Sequence, residues 1–237
     1  MGDLSGQTAA VVGAGRGLGR AAALALAREG AGVVIASRTA AELDAVAADI
    51  TRAGGRARAV VADASLEPDA ERIIAAAIEM SGRLDLLLVC AGAALIKRLP
   101  EVTLADWEQQ FAMNTRSVFL TNRAALRTML AAGRGLIVNV ASRAGITGAP
   151  NVTAYTAAKS AVIGFSRALA LEVKAQGVRV ACLAPAPMDT PMRWAATPTF
   201  DPSRLISTDA VVDLVLYLTK HPGVTLEDPV VPISIRL

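Results

Sequence analysis

The chain has 237 residues, of which 53% are hydrophobic and 19% are charged, and its formal net charge is +3. This length suits one domain with a sizeable core, and the uninterrupted apolar stretches fall far short of the roughly 18–20 residues that cross a bilayer. Basic and acidic residues are interspersed and only 3% of residues are aromatic, so the composition argues against a membrane protein and against a nucleic-acid-binding surface.

Seven short apolar runs divide the chain, and longer stretches with helical spacing lie between them. In chain order the runs are AAVV, GVVIAS, ARAVVA, DLLLVC, GLIVNVAS, VRVACLA and PVVPISI. Runs that are apolar on both faces and alternate with helices are typical of a parallel sheet covered on both sides. Because crossovers between parallel strands are right-handed, we predict a single α/β domain over residues 1–237, a doubly wound parallel sheet of about seven strands with helices on both faces.

Two of the intervening helices carry a start signal. Thr39 is followed three residues later by Glu42, and Thr103 by Asp106. A hydroxyl with an acid three residues further on is typical of a capping box, in which each side chain accepts a hydrogen bond from a backbone N–H of the other residue. We therefore predict helices that begin just after Thr39 and Thr103.

A glycine-rich loop directly follows the first apolar run. The stretch VVGAGRGLGR, which begins at Val11, has glycine at positions 13, 15, 17 and 19. Backbone N–H groups at the start of a helix can bind a pyrophosphate where no side chain obstructs them. This pattern predicts a Rossmann-type dinucleotide site that includes Gly13, Arg16, Gly17, Leu18 and Gly19. A tight strand-to-helix turn without a ligand is the alternative.

The end of the second apolar run indicates which dinucleotide would bind. An acid at this point would hydrogen-bond the ribose hydroxyls of NAD, but the sequence has Ser37 and Arg38. A guanidinium can hold the 2′-phosphate of NADP by two charge-assisted hydrogen bonds. Arg16 would add a second positive charge on the same side, so the sequence favours NADP.

A tyrosine and a lysine four residues apart suggest acid–base chemistry. In YTAAK, Tyr155 and Lys159 fall on one face of a predicted helix. A nearby cation favours the phenolate, so we expect Lys159 to lower the pKa of Tyr155 toward the range of a general acid or base. The chain has only two tyrosines, which gives this pair more weight.

The stretch from Ala184 to Ser207 differs in composition from the rest of the chain. It contains five prolines and keeps the apolar residues Met188, Met192 and Trp194. Such a segment is too long for a simple connection and too apolar for a disordered linker. We predict that residues 184–207 form a flap over the substrate site.

The remaining reactive residues argue against other chemistry. Cys90 and Cys182 lie within apolar runs, which is typical of small buried hydrophobic residues. His221 is the only histidine, so we expect no metal site and no Ser-His-Asp triad. The GFSRA stretch resembles a hydrolase nucleophile motif, but Ser166 falls in the middle of a predicted helix. Since no basic leader precedes a long apolar region, we expect a cytoplasmic protein.

Taken in chain order, these motifs resemble those of the classical short-chain dehydrogenases/reductases (SDRs), and the resemblance covers nearly the whole chain. In length and motif order the sequence is similar to the 3-oxoacyl-acyl-carrier-protein reductases of that family. The residues that carry the resemblance are Gly13 to Gly19, Asp63 and Ala64, Cys90, Ala91 and Gly92, Asn114, Ser142, Tyr155 to Lys159, and Pro185 to Thr190.

The resemblance implies a role for each of these residues. Tyr155 would transfer the proton, Lys159 would lower its pKa and hold the nicotinamide ribose, and Ser142 would hydrogen-bond the substrate carbonyl. Asn114 would position a water that connects Lys159 to solvent. The other implied cofactor contacts are Asp63 and Ala64 at the adenine, Met188 and Thr190 at the nicotinamide, and Cys90, Ala91, Gly92 and Pro185 along the same groove.

The activity implied by the resemblance is NADP-dependent hydride transfer between the nicotinamide and a carbonyl or secondary alcohol. The substrate would be a small molecule, apolar or acyl in character, and the protein a homotetramer or homodimer packed through its fourth and fifth helices. Two alternatives stay open, namely an NAD-linked alcohol dehydrogenase of the same family and a non-catalytic NADP sensor.

Three departures from the family pattern concern local detail. Cys90 stands where the family usually has asparagine, which puts the rigidity of the cofactor loop in question. Ala186 stands where glycine usually follows Pro185, which restricts the backbone near the nicotinamide. The C-terminal PVVPISIRL lacks the family's frequent late glycine pair, a departure that concerns the subunit contacts.

Overall fold

A seven-stranded parallel sheet forms the centre of the protein, of which a computed structural model describes residues 4–234. Neighbouring strands follow the order β3-β2-β1-β4-β5-β6-β7, and every pair is parallel. The strands are β1 (Thr8–Val12), β2 (Gly32–Ser37), β3 (Arg56–Val61), β4 (Leu86–Val89), β5 (Gly135–Val140), β6 (Val178–Pro185) and β7 (Val230–Ile233). Each falls on a predicted apolar run, and the doubly wound α/β prediction is confirmed. Ile235, at the end of the last run, lies outside the described residues.

Helices cover both faces of this sheet. Helices α1, α2 and α9 pack on one face, while α3, α5 and α7 pack on the other. The α-helices of the described chain are α1 (Gly17–Arg28), α2 (Ala40–Arg52), α3 (Glu67–Ser81), α4 (Leu104–Phe111), α5 (Ser117–Ala132), α6 (Ala144–Thr147), α7 (Thr153–Val173), α8 (Pro191–Ala196) and α9 (Thr208–Lys220).

The central strands are apolar throughout because both of their faces are buried. Ala9 and Val11 of β1 point into one core, and Ala10 and Val12 point into the other, as the twofold alternation of a strand requires. The edge strand β3 departs from this rule, since four of its six residues are exposed. The prediction of two buried faces is therefore wrong for ARAVVA, which has only one neighbouring strand.

The two predicted capping boxes have different outcomes. Thr103 accepts a hydrogen bond from the Asp106 backbone N–H at 3.1 Å, and the Asp106 carboxylate accepts one from the Thr103 N–H at 2.9 Å. Helix α2 does begin after Thr39, but the Thr39 side chain makes no capping hydrogen bond. The prediction is thus confirmed for α4 and wrong for the cap of α2, where Glu42 makes other contacts.

The strand order reverses between β1 and β4, and this reversal opens a crevice at the carboxyl ends of the strands. β1 continues to β2 on one side and pairs with β4 on the other. Ligands of doubly wound sheets bind at such a switch point. The glycine loop leaves β1 there, and its start is anchored to β2 by a hydrogen bond from the Gly13 N–H to the Ala36 carbonyl at 2.8 Å.

The segment predicted as a flap contains regular structure. Its first two residues end β6, α8 follows, and the Met188 backbone pairs with Ile206 as an isolated bridge. The segment therefore leaves the sheet at Pro185 and returns close to its own start before α9. Between residues 4 and 234, no helix is both long and apolar enough to cross a membrane.

Candidate active site

A cavity of about 260 Å³ opens at the carboxyl ends of the central strands. Its wall runs from the residues after β2 to the residues beside β5, and it includes most of the side chains predicted for the site. Those residues are Gly13, Arg16, Gly17, Leu18, Gly19, Ser37, Arg38, Asp63, Ala64, Cys90, Ala91, Gly92, Asn114, Tyr155, Lys159, Met188 and Thr190. Ser142 and Pro185 were predicted with them but do not form part of this wall.

Two glycines of the loop are required by close packing of the protein itself. Gly13 has φ +84°, and a Cβ there would lie 2.7 Å from the Ala91 backbone nitrogen. A Cβ on Gly19 would overlap the carbonyl oxygen of Gly13. The loop thus lets the start of α1 approach β1 and the chain after β4. The first turn of α1 contains no acidic residue, so its free N–H groups suit an anion such as a pyrophosphate.

The wall next to β2 and β3 carries several charged side chains. Ser37 ends β2, and Arg38 follows it at the cavity. Asp63, after β3, accepts hydrogen bonds from the Ser65 N–H at 2.9 Å and from the Ser65 hydroxyl at 2.7 Å. Burial acts to raise the pKa of Asp63, but these hydrogen bonds and the Arg38 guanidinium outweigh it and hold the pKa below its ordinary value.

Glu42 also lies in this wall, which the sequence did not indicate. Its carboxylate is 4.0 Å from the Arg16 guanidinium, and a Cβ on Gly15 would meet both this carboxylate and the hydroxyl of Ser37. Sequence reasoning assigned Glu42 to the cap of α2. The available signal was its position in the first turn of the helix that follows Ser37 and Arg38, the residues predicted to bind the cofactor.

Lys159 occupies the opposite wall, beside β5. Only 4% of its surface is exposed, and its Nζ donates a hydrogen bond to the Val140 carbonyl at 2.8 Å. Burial lowers the pKa of Lys159 from 10.5 to about 8, because the charged ammonium loses most of its hydration. The lysine is therefore held in place by the strand that leads to Ser142.

The structure does not bear out the prediction that Lys159 lowers the pKa of Tyr155. Burial raises the pKa of the Tyr155 phenol above 10.0, while a hydrogen bond to Ser142 and the charge of Arg193 act in the opposite direction. The Lys159 Nζ lies 5.9 Å from the centroid of the Tyr155 ring. The expectation of a lowered pKa is corrected, because desolvation of the phenol exceeds these opposing effects in the protein alone.

Ser142 lies two residues beyond β5 and contacts Tyr155 from outside the cavity wall. Its Oγ accepts a hydrogen bond from the Ala144 N–H at 3.2 Å, and the nearby hydroxyl acts to lower the pKa of Tyr155. Pro185 ends β6, and its carbonyl accepts a hydrogen bond from the Arg143 N–H at 3.0 Å. Pro185 therefore braces the loop that carries Ser142 and is not itself in the cavity wall.

Asn114 belongs to a π-helical turn, Ala112–Arg116, between α4 and α5. Its amide is buried; the Nδ2 group donates to the Ala93 carbonyl at 2.9 Å, and Oδ1 accepts from the Ala93 N–H at 3.2 Å. A Cβ on Gly92 would lie 2.5 Å from Asn114 Oδ1 and 3.3 Å from Lys159 Nζ. The π-helical turn thus brings Asn114 next to Lys159, at the chain that follows β4.

Two of the departures from the family pattern cause no backbone strain. The Cys90 N–H donates to the Val12 carbonyl at 2.8 Å, and burial raises the pKa of its thiol to about 12, so the side chain behaves as a small apolar group. Ala186 is buried and hydrogen-bonded to the Ile233 carbonyl at 2.7 Å. Among the described residues other than glycine, only Asn151 has a positive φ, so alanine at 186 is unstrained.

The flap segment touches the glycine loop. Thr190 caps α8, where its hydroxyl accepts a hydrogen bond from the Arg193 N–H at 3.4 Å. A Cβ on Gly17 would lie 3.4 Å from the Thr190 methyl group. Met188, Pro191 and Met192 add apolar surface to the cavity on this side.

The residues considered for other chemistry lie elsewhere. Ser166 is buried in the middle of α7 and accepts a hydrogen bond from Asn139 at 3.1 Å. His221 follows α9 and stacks on Tyr217. Within residues 4–234, no group of three or more histidine, cysteine, aspartate or glutamate side chains is placed to hold a metal ion.

The fold and the cavity together define a dinucleotide-binding domain. Its parallel sheet reverses at a glycine loop, and its cavity joins the start of α1 to a half-buried tyrosine and a buried lysine. The sequence also matches the family model of the short chain dehydrogenases over residues 7–200. The chain belongs to this family of oxidoreductases, which bind a nicotinamide cofactor.

Individual relatives show the same relationship. A 3-oxoacyl-[acyl-carrier-protein] reductase of Synechocystis is 39% identical over 195 residues, covering 81% of this chain and 78% of its own length. A cyclopentanol dehydrogenase of Comamonas is 34% identical over 192 residues, covering 81% and 77%. Among solved structures, levodione reductase superposes with a TM-score of 0.90 at 28% identity, covering 97% of this chain and 96% of the other.

Proposed function

We propose that this protein is an NADP(H)-dependent oxidoreductase that transfers a hydride between the nicotinamide and a carbonyl or secondary alcohol. One observation carries the proposal: a single cavity has Arg16 and Arg38 in its wall on the β2 side, and Tyr155 and Lys159 on the β5 side. Two guanidinium groups suit a 2′-phosphate, and a phenol beside an ammonium suits proton transfer at a carbonyl oxygen.

Tyr155 is the proposed proton donor when a ketone is reduced. When bound, the nicotinamide supplies or accepts the hydride. Ser142 accepts a hydrogen bond from the Ala144 N–H, so its own hydroxyl hydrogen is free to donate. It can donate to the Tyr155 oxygen or to a substrate oxygen, and in both places it stabilises negative charge as it develops.

Lys159 and Asn114 are proposed to return the proton to Tyr155. The pKa of Lys159, about 8, lies closer to neutral pH than that of an ordinary lysine, so this group can exchange a proton more readily near neutral pH. Asn114 lies beside Lys159 across Gly92, which supports a role for this amide in positioning a water between the ammonium and solvent.

The proposed substrate is apolar or acyl in character. Met188, Pro191 and Met192 provide apolar surface beside the catalytic side chains, and residues 184–207 are proposed as the flap that shapes this pocket. The similarity to a 3-oxoacyl-[acyl-carrier-protein] reductase also supports an acyl substrate. The cyclopentanol dehydrogenase among the relatives supports small cyclic alcohols and ketones as a second group to screen.

The test of the cofactor assignment is fluorescence titration of the purified protein with NADPH and NADH. The same titrations use Arg38→Ala and, as a control, Arg52→Ala, which removes an exposed arginine of α2 that pairs with Asp49. Hydrogen bonds to a charged group contribute about 1.5–3 kcal/mol, so Arg38→Ala should weaken NADPH binding roughly ten- to a hundredfold. NADH binding should change little in either variant.

An NADH preference in the unaltered protein would overturn the NADP assignment and favour the NAD-linked alcohol dehydrogenase. The Glu42 carboxylate in the cavity wall is the observation that supports this second candidate, because acids near the adenosine ribose suit NAD. If NADPH binds tightly but no ketone or alcohol is turned over, the non-catalytic sensor is the better description.

Self-association through α5 and α7 is proposed as well. These helices follow β4 and β5 and correspond to the fourth and fifth helices of the family pattern, and they expose Phe119, Leu130 and Leu171. Large apolar residues on two neighbouring helices are typical of subunit contacts. Light scattering coupled to size-exclusion chromatography should give the mass of a dimer or tetramer, and a monomer mass would contradict the proposal.

A further inference from the structure

The carboxylate of Glu42 lies where the adenosine end of the cavity meets the glycine loop. A Cβ added to Gly15 would overlap Glu42 Oε2 and would lie 3.0 Å from the Ser37 hydroxyl oxygen. The carboxylate therefore rests on the loop backbone beside the side chain that ends β2. Glu42, Ser37, Arg38 and Arg16 all belong to the wall of this cavity.

The carboxylate of Glu42 is only loosely paired with the cations around it. Glu42 Oε1 lies 4.0 Å from Arg16 Nη1, and the side chains are 34% and 65% exposed. Within residues 4–234, this is the only ion pair of either residue, and Arg38 has none. With Asp63, whose carboxylate interacts with the Arg38 charge, two cations and two anions share this stretch of cavity wall, and Glu42 is the anion nearest Arg16.

Glu42 is free to lie over the loop because the capping box of α2 does not form. Had the capping box of α2 formed, the carboxylate would be held by the Thr39 backbone N–H. That N–H instead donates to the Ser37 hydroxyl at 3.3 Å, and Glu42 extends over the loop. Because the Thr39 N–H is used by Ser37, it does not hold the Glu42 carboxylate, which lies in the cavity wall beside the predicted phosphate site.

We infer that Glu42 determines cofactor specificity by opposing the 2′-phosphate that Arg38 and Arg16 attract. A phosphate at this position would meet a carboxylate of like charge and would compete with it for Arg16. A ribose 2′-hydroxyl would meet a hydrogen-bond acceptor there instead. This inference rests on the proposed NADP(H) function. It adds that Glu42 weakens the preference of the protein for NADP(H), so that NAD(H) remains a usable cofactor.

The test compares Glu42→Gln with the unaltered protein. Glutamine keeps the length of the side chain and its contact with Gly15 but removes the charge. The matched control is Asp44→Asn, which removes one negative charge from an exposed residue of the same helix. Titrations use NADPH and NADH, and also adenosine 2′,5′-bisphosphate and 5′-AMP, which differ only in the 2′-phosphate.

The measured quantity is the ratio of dissociation constants, NADH over NADPH. Glu42→Gln should raise this ratio roughly three- to tenfold, because a like charge is removed from a partly exposed site near the phosphate. Binding of adenosine 2′,5′-bisphosphate should tighten by a similar factor and that of 5′-AMP should not. The gain should shrink between about 0.05 M and 1 M salt, where the screening length falls to about 3 Å. Asp44→Asn should leave the ratio unchanged.

The outcomes separate this inference from the proposed function. An unchanged ratio in Glu42→Gln, together with a collapse of NADPH binding in Arg38→Ala, would overturn the role of Glu42 and leave the NADP(H) assignment intact. A fall in affinity for both cofactors with a lower melting temperature would assign Glu42 to bracing the loop, which also overturns it. Failure of the unaltered protein to bind either cofactor would remove the proposed function itself.

Discussion

The two ends of the cavity hold their cations in opposite surroundings. Lys159 is 4% exposed, donates to a backbone carbonyl and lies beside the half-buried Tyr155. Arg16 has 65% of its side chain exposed and meets one carboxylate at 4.0 Å. Charges interact several times more strongly in a desolvated site than at a surface. The same cavity therefore combines a dry end at Lys159, where desolvation alters proton affinity, with a wet end at Arg16, where binding depends on the net charge of a few exposed side chains.

This contrast separates what each end can contribute. At the β5 end, β5 and α7 position Lys159 and Tyr155 before any ligand arrives. The unfavourable free energy of desolvating both groups is therefore part of the free energy of folding. At the β2 end, Arg16, Arg38 and Glu42 attract or repel a ligand in water, and salt screens their effect. Substitutions at the first end should alter turnover, and substitutions at the second should alter cofactor choice.

The largest expected effect is that of Tyr155→Phe, which removes only the phenolic oxygen. General acid catalysis contributes about 10²- to 10⁴-fold, so kcat for ketone reduction should fall by a factor in this range. The dissociation constant of NADPH should stay within about twofold, because the lost hydroxyl belongs to the dry end. Steady-state kinetics and fluorescence titration on one preparation check both values.

Arg38→Ala is the reciprocal substitution at the wet end. It should raise the dissociation constant of NADPH and leave kcat at saturating cofactor nearly unchanged. If Tyr155→Phe weakened cofactor binding as much as it slowed turnover, the two ends would not be separable and the comparison would fail.

The next effect concerns stability and pH. Burial lowers the pKa of Lys159 from 10.5 to about 8, so between these values the unfolded chain binds a proton that the folded protein has released. The contribution of this group to the free energy of unfolding therefore rises with pH from about 8 to 10.5 and is least favourable below pH 8. The full change is on the order of 3 kcal/mol.

Denaturant unfolding at several pH values from 7 to 10 tests this slope. Lys159→Met should lack the rise, while Lys174→Met, at the exposed residue directly after the same helix, should keep it. Equal slopes in the unaltered protein and in Lys159→Met would mean that Lys159 titrates alike in both states, which would contradict its desolvation.

A smaller effect on stability distinguishes Gly92, at the dry end, from Gly164, on the exposed side of α7. Gly92→Ala would place a Cβ 2.5 Å from the buried Asn114 Oδ1, and overpacking of this kind costs about 1–3 kcal/mol. Gly164→Ala, on the exposed side of α7, meets nothing within 4 Å and should gain up to about 1 kcal/mol from helix propensity. Melting curves should therefore shift in opposite directions, and a tolerated alanine at 92 would show that Asn114 is not tightly held.

Sequence patterns predicted the features that depend on local spacing. The seven strands follow from runs of apolar residues, and the approach of α1 to β1 follows from glycines at fixed positions. Thr103 and Asp106 form their capping box because both partners belong to one helix start. Most predicted site residues meet in one cavity because parallel strands bring their carboxyl ends to one edge of the sheet.

The patterns failed where a side chain had partners from distant parts of the chain. Thr39 and Glu42 have the same spacing as Thr103 and Asp106, but Arg16 and the loop at Gly15 offer Glu42 other contacts. The pKa of Tyr155 depends on how deeply α7 packs, which a four-residue spacing does not reveal. The π-helical turn that aims Asn114 at the site has no signature in the sequence around it either.

The smallest predicted effect comes from Arg193, which lies in the flap segment near the dry end. Its guanidinium packs 4.9 Å from the Phe200 ring centroid, and its charge acts to lower the pKa of Tyr155. Arg193→Gln should therefore raise the pH at which alcohol oxidation reaches half its maximal rate, by roughly half a pH unit or less.

Arg204→Gln removes a cation from the same segment at an exposed site and should leave that midpoint in place. Profiles of kcat/KM against pH give the comparison. A midpoint that moves equally in both variants would mean that the flap acts through its net charge, as the wet end does, whereas a shift confined to Arg193→Gln would extend the dry end to include this one residue of the flap.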